Sequence, residues 1–280
     1  MKHNRWISFG MILIIYILAA KAGMMLRDAL PYAWWLNLLL ADVGATVLVF
    51  LFSAALGNAS VYDPYWSVAP VAVMVDYALR VPLTGLNILH LAAICFWGLR
   101  LTANWAYTFQ SLDFQDWRYT MLREKTGRLY PLVNLGGIHL MPTLIVYGCM
   151  LPAVYAAEKG LEGSLLSAAF VALSLGAACM QGIADWQMQR YRRNRPAPFI
   201  REGLWHYSRH PNYLGEILMW WGIALSVVCV TRQYWLCAGA AANTALFLLA
   251  SIPMADRRQA QKPGFEEYKR ETRMLLPIKK

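Results

Sequence analysis

The stretch GLWHYSRHPNYLGE, Gly203 to Glu216, joins a basic loop to the start of an apolar helix. Proline disfavours helical geometry in the residue before it and suits the first turn of a helix, so a helix is predicted to begin at Pro211. The unpaired N–H groups and positive dipole end of that helix lie beside Arg209 and His210, which makes a seat for a phosphate or carboxylate. Asn212 and Glu216 are four apart and share a face of the first turns, aimed at the same place. Basic residues mark the cytoplasmic end of helices in any membrane protein. That reading covers Arg209 and His210 but not an acid such as Glu216 inside the apolar run.

Working outward, the chain has 280 residues, 58% of them hydrophobic, with a mean hydropathy of +0.37. This is more apolar surface than one soluble core would bury, and it predicts an integral membrane protein in a lipid bilayer. Lys plus Arg number 26 against 16 Asp plus Glu. In a membrane protein such an excess points to cytoplasmic loops, and no nucleic-acid partner is expected. Of the five cysteines, Cys95, Cys149, Cys179 and Cys229 lie inside apolar runs and Cys237 near the start of one. With no C-x-x-C pair among them, they read as small core residues and no metal is expected.

Apolar runs long enough to cross a hydrocarbon layer of about 30 Å fall at roughly 6–26, 33–56, 65–80, 86–105, 135–157, 163–187, 212–230 and 234–254. The third is short and holds Pro70, so the expectation is an all-α transmembrane bundle of seven or eight spans with a cofactor cavity on the cytoplasmic side. The first follows Lys2 and Arg5 and runs about twenty residues, long for a signal peptide, so it is expected to be retained. With eight crossings, twenty of the 26 cations fall on the side of both termini, including Arg195 and the cations after residue 255. The positive-inside rule therefore places both termini in the cytoplasm. Without a linker or repeat, residues 1–280 read as a single membrane domain, with substrate-side helices over 1–105 and a cofactor-binding region over 106–280.

Ionisable groups within spans are costly and are functional candidates by default. Depth arithmetic at about 1.5 Å per residue pairs Lys21 with Asp42 near the outer side, and Asp76 with Arg80 through their i, i+4 spacing. In FWGLRLTANW, Trp97, Arg100 and Asn104 are spaced i, i+3, i+7 and share a face near the cytoplasmic side. The following loop holds DWRY, where Arg118 offers a guanidinium fork suited to a 2′-phosphate. The sixth run ends QGIADWQMQRYRR, with Gln181, Asp185, Gln189 and Arg192 on one polar stripe that makes a poor lipid face. Trp220 and Trp221 read as packing anchors.

The string RHPNYLGE after GLW resembles the signature of the superfamily of steroid 5-alpha-reductases, sterol C14 and C7 reductases, and isoprenylcysteine and phospholipid methyltransferases. FEEYKRETRMLLP at Phe265 to Pro277 is similar to the reductase ending. DPYWS at Asp63 to Ser67, GLRLT-x-NW at Gly98 to Trp105 and DWRY at Asp116 to Tyr119 resemble a bacterial branch of uncharacterised proteins related to steroid 5-alpha-reductase. The resemblance implies an NADPH-dependent reductase that saturates the C=C bond of a conjugated carbonyl in a small lipophilic substrate, such as a 3-oxo-4-ene steroid. It implies nucleotide contacts from Arg100, Asn104, Arg118, Asp185, Gln189, Arg192, Arg209, His210, Asn212, Tyr213 and Glu216. It also puts Asp63 where the steroid reductases carry a catalytic glutamate and Trp97 where they carry a tyrosine that contacts the ketone. Arg257 is the alternative group for assisting proton delivery.

Such a reaction needs an acid at the carbonyl oxygen, where charge collects as hydride reaches the β carbon, and a dry pocket. Asp63 precedes Pro64, which is also a common helix-capping pair. Two other readings stand beside the reductase. One is an S-adenosylmethionine-dependent methyltransferase, although the Glu-Glu pair usual in that half of the superfamily is replaced here by Asp256, Arg257 and Arg258. The other is a non-catalytic transporter or scaffold.

Overall fold

The computed structural model describes residues 4–194 and 197–277. Lys2, Arg195, Lys279 and Lys280, four of the cations used above to orient the chain, lie outside the described residues. The chain is 82% helical without strands among the described residues, and seven helices are long and apolar enough to cross a membrane. It is an integral, multi-pass, all-α membrane protein. Its helices form two compact units that interleave along the sequence, Met1–Arg80 with Gly98–Leu151, and Val81–Trp97 with Pro152–Lys280.

In the first unit, α1 (Arg5–Ala29) starts at Asn4, whose side-chain oxygen accepts the N–H groups of Trp6 and Ile7 at 2.9 and 3.2 Å. Then come α2 (Trp34–Leu56), a 3₁₀ turn over Ala59–Tyr62, and α3 (Tyr65–Arg80). At 16 residues α3 is only about 24 Å long, short of the hydrocarbon thickness. The 3₁₀ turn precedes it in the chain. Asn58 donates to Leu112 O, and Leu112 N donates to Ser8 Oγ, so Asn58 lies at the level of the first turns of α1. Val61 O accepts the Tyr16 hydroxyl halfway along α1. At the far end, Arg27 and Arg80 both bind Asp76, and Arg80 also reaches Asp28 at 3.4 Å. Asn58–Arg80 thus retraces α1 from end to end.

The expected Asp76–Arg80 pair is present at 2.9 Å, but Lys21 and Asp42 do not pair. Lys21 is exposed, and Asp42 accepts the Tyr65 hydroxyl at 3.1 Å. Depth alone ignores the rotation of each helix about its axis, and here that rotation separates the two.

The unit also takes the second half of α4 (Gly85–Thr108), then α5 (Trp117–Thr126), α6 (Tyr130–Val133), a π-helical stretch over Asn134–Leu140, and the first part of α7 (Met141–Glu158). DWRY is therefore the start of a helix and not a loop: Asp116 caps α5 by accepting Arg118 N–H at 2.9 Å.

The second unit is built on α8 (Leu165–Asn194), α9 (Leu204–Tyr207), α10 (Pro211–Thr231), α11 (Ala238–Leu246), α12 (Ile252–Gln259) and α13 (Phe265–Glu271). Helix α10 begins at Pro211, as the proline predicts. It lies against α8 through Gly215 and Gly222, seven apart on one face; a Cβ on Gly215 would sit 2.8 Å from Ala177 O, and one on Gly222 2.6 Å from Phe170 O. Ser174 Oγ completes the seam by donating to Met219 O at 2.8 Å.

Seven helices are long and apolar enough to cross; the positive-inside reading expects Asn58–Arg80 as an eighth crossing, and labelling tests it. Cysteines placed beside Arg5 and beside Lys269 should both be shielded from an impermeant thiol reagent in sealed cells, while one beside Lys159 should react. Labelling of Arg5 and Lys269 positions from opposite faces would contradict this path.

Candidate active site

The loop before α10 is shaped by Gly203, whose φ of +61° lies in the left-handed region, with the Gln187 side chain packed where a Cβ would stand. Gln187 then accepts Leu204 N–H at 2.9 Å, and the Trp205 indole donates to Ala184 O at 3.1 Å, fixing GLW onto α8. Beyond it, Arg209 and His210 turn toward Asp256 of α12. Arg209 Nη2 binds Asp256 Oδ2 at 3.0 Å, and His210 Nε2 meets Asp256 Oδ1 at 2.9 Å. Arg209 Nη1 donates to Thr272 O at 2.7 Å, and its backbone N–H donates to Arg273 O at 2.9 Å. This arginine, 9% exposed, therefore ties the loop, α12 and the segment after α13 together. The His210 ring stacks on Tyr213 with centroids 5.2 Å apart. Asn212 Oδ1, in the first turn of α10, is buried with no hydrogen-bond partner among the described residues.

One turn further, Glu216 is 3% exposed and collects three neutral N–H donors, each at 2.8 Å: the indoles of Trp97 and Trp220 and the amide of Gln181. A buried carboxyl in an apolar bundle is costly unless such donors replace water. Trp97 and Trp220, both fully buried, pack edge to face at 4.8 Å around it. Trp220 is a partner here as well as a packing residue, and its i, i+4 spacing from Glu216 is the sequence signal for that.

At the end of α8, Asp185 and Gln189 are partly buried, and Asp185 stands within electrostatic reach of Arg192. Arg192, Arg258 and Lys262 stand within electrostatic reach of one another. Partial burial, then the Arg258 and Arg192 guanidinium groups, hold the Lys262 ammonium below the usual lysine range. Arg257 is exposed on α12, next to Asp256.

Helix α4 serves both units, so Trp97 falls in the second unit while Arg100 and Asn104, both partly buried, fall in the first. Arg118 is exposed and paired with Asp116 at 2.8 Å. Asp63 is not the cap of α3. Its carboxyl accepts the Tyr119 hydroxyl at 2.6 Å. The sequence reading missed both Tyr119 and Asp256 as partners; each pairing spans dozens of residues and leaves no local pattern.

The chain belongs to the DUF1295 family, described as a protein of unknown function, which matches residues 49–272 and is a steroid 5-alpha-reductase-like membrane family. A similar protein is "Uncharacterized protein C594.04c" of Schizosaccharomyces pombe, 25% identical over an alignment of length 191 that covers 58% of this chain and 56% of the relative. The chain thus spans little more than half the length of that relative. No solved structure matches it.

Proposed function

We propose that the protein is a membrane reductase that uses NADPH to saturate the C=C bond of a conjugated carbonyl in a lipid, such as a 3-oxo-4-ene steroid. The observation that carries the reading is the electrostatic proximity of Arg192, Arg258 and Lys262, whose mutual repulsion suits a polyanionic ligand. A dinucleotide carrying a 2′-phosphate fits that charge; the cationic sulfonium of S-adenosylmethionine does not. NADPH, when bound, supplies the hydride. Arg192, Arg258 and Lys262 hold its phosphates, and Asp185, Gln189, Asn212 and Tyr213 are the polar groups for its ribose and amide ends. Arg209 and His210 keep the loop in place through Asp256. Asp63, oriented by Tyr119, donates to the substrate carbonyl oxygen as charge collects there, and its proton leaves the acid for the reduced product.

Titrating the detergent-purified protein with NADPH, NADH and S-adenosylmethionine tests this. NADPH should bind best, and Arg192→Ala or Arg258→Ala should each weaken it roughly tenfold to a hundredfold, the loss of one charged hydrogen bond worth on the order of 1.5–3 kcal/mol. Unchanged affinity in both variants, or tighter binding of S-adenosylmethionine than of NADPH, would overturn the proposal.

A further inference from the structure

Within the first unit, α1, α2 and α3 enclose a cavity of about 90 Å³. Its walls are mostly small residues, among them Ala19, Gly23, Ala41, Ala45 and Ala72, and the exposed Met24 marks its mouth. Asp42, in the middle of α2, interrupts the apolar lining, together with Tyr65 at the start of α3 and Tyr16 on α1, whose hydroxyl is taken by Val61 O. Tyr65 donates to Asp42 Oδ1 at 3.1 Å, and Asp42 Oδ2 has no hydrogen-bond partner among the described residues. Among the described residues, no cation forms an ion pair with this acid. Arg27, which also lines the cavity, is taken by Asp76 and Asp28, Arg80 is bound to the same two acids, and Lys21 is exposed. A carboxyl inside a membrane-spanning helix is kept where it is paired or where it meets a ligand. Here pairing accounts for one of its two oxygens.

We propose that this cavity takes the polar end of a neutral lipid alcohol, with Asp42 as the group that reads the hydroxyl. The volume is below the roughly 150 Å³ of an apolar cavity that holds benzene, so it takes the end of a molecule whose remainder stays in the bilayer. The apolar walls favour a neutral molecule, because an ammonium would leave its hydration behind. A hydroxyl both donates and accepts, so it bonds to Asp42 whether or not the carboxyl carries a proton, whereas an ammonium serves only the ionised form. The inference is independent of the reductase reading, because none of these residues is assigned to nucleotide or to Asp63.

The test is photolabelling in phosphatidylcholine nanodiscs with hexadecanol carrying a diazirine near its hydroxyl, followed by peptide mapping. Labels should fall on α1, α2 and α3 around Gly23, Ala41 and Ala72. Unlabelled hexadecanol should compete at least tenfold better than hexadecane. Asp42→Leu should remove that preference. Ala72→Phe, which fills the space and leaves Asp42 in place, should reduce labelling at least tenfold, and it serves if the Asp42 variant fails to fold. Equal competition by hexadecane would reduce the cavity to a groove for acyl chains. Stronger competition by hexadecylamine than by hexadecanol would make it a cation site. Labels outside the three helices would place the alcohol elsewhere. Each of these results overturns the proposal.

Discussion

Asp63→Asn is expected to slow single-turnover oxidation of bound NADPH by a reactive enone lipid by roughly 10²–10⁴-fold, while leaving NADPH binding intact. The amide keeps the size of the acid and can still meet the Tyr119 hydroxyl, which donates to Asp63 at 2.6 Å, but it cannot transfer a proton. Thermal unfolding separates this from a packing defect: the variant should unfold at the wild-type temperature, because the side-chain size and the Tyr119 contact are kept. Enone reduction by Asp63→Asn at the wild-type rate would remove Asp63 as proton donor and bring forward water or Arg257.

Glu216→Ala is expected to be the most damaging single change to the fold around the site. It removes the acceptor that the buried N–H groups of Trp97, Trp220 and Gln181 share, each bonded to the carboxyl at 2.8 Å. A buried donor left without an acceptor costs about 1–3 kcal/mol, and the removed side chain leaves a void beside two buried indoles. Thermal unfolding in mild detergent should show a loss of several degrees or failure to purify as a folded species. Arg257→Ala, at an exposed position on α12, should leave the midpoint where it is. Glu216→Gln should fall between them, since its carbonyl oxygen still accepts while its NH₂ faces other donors. A Glu216→Ala protein as stable as wild type would mean that the three hydrogen bonds contribute nothing net.

Local features of the fold were legible in the sequence. Pro211 marked the start of α10 to the residue, and the apolar runs located the long helices, because proline geometry and span length act over a few residues. The run at 65–80 is short, and the structure sets the 3₁₀ turn Ala59–Tyr62 ahead of its helix. Where polarity masked a helix, as in α5 from Trp117, the capping Asp116 was the available signal. The site was legible as residue types and stripes, Gln181 and Glu216 among them, but not as partners. Arg209 meets Asp256 across 47 positions and Asp63 meets Tyr119 across 56, and Lys21 misses Asp42 because depth carries no information on helix rotation. Such pairings are set by how helices face each other, which no local pattern encodes.

The central claim is that the basic cluster at Arg192, Arg258 and Lys262 serves a nicotinamide dinucleotide. The measurement that reaches it most directly is the mass of the small molecule that stays with the full chain through purification in mild detergent, read by native mass spectrometry and confirmed after denaturation. The account predicts NADP⁺ or NADPH, at a reduced share in Arg192→Ala. Retention of S-adenosylmethionine or S-adenosylhomocysteine instead would contradict it.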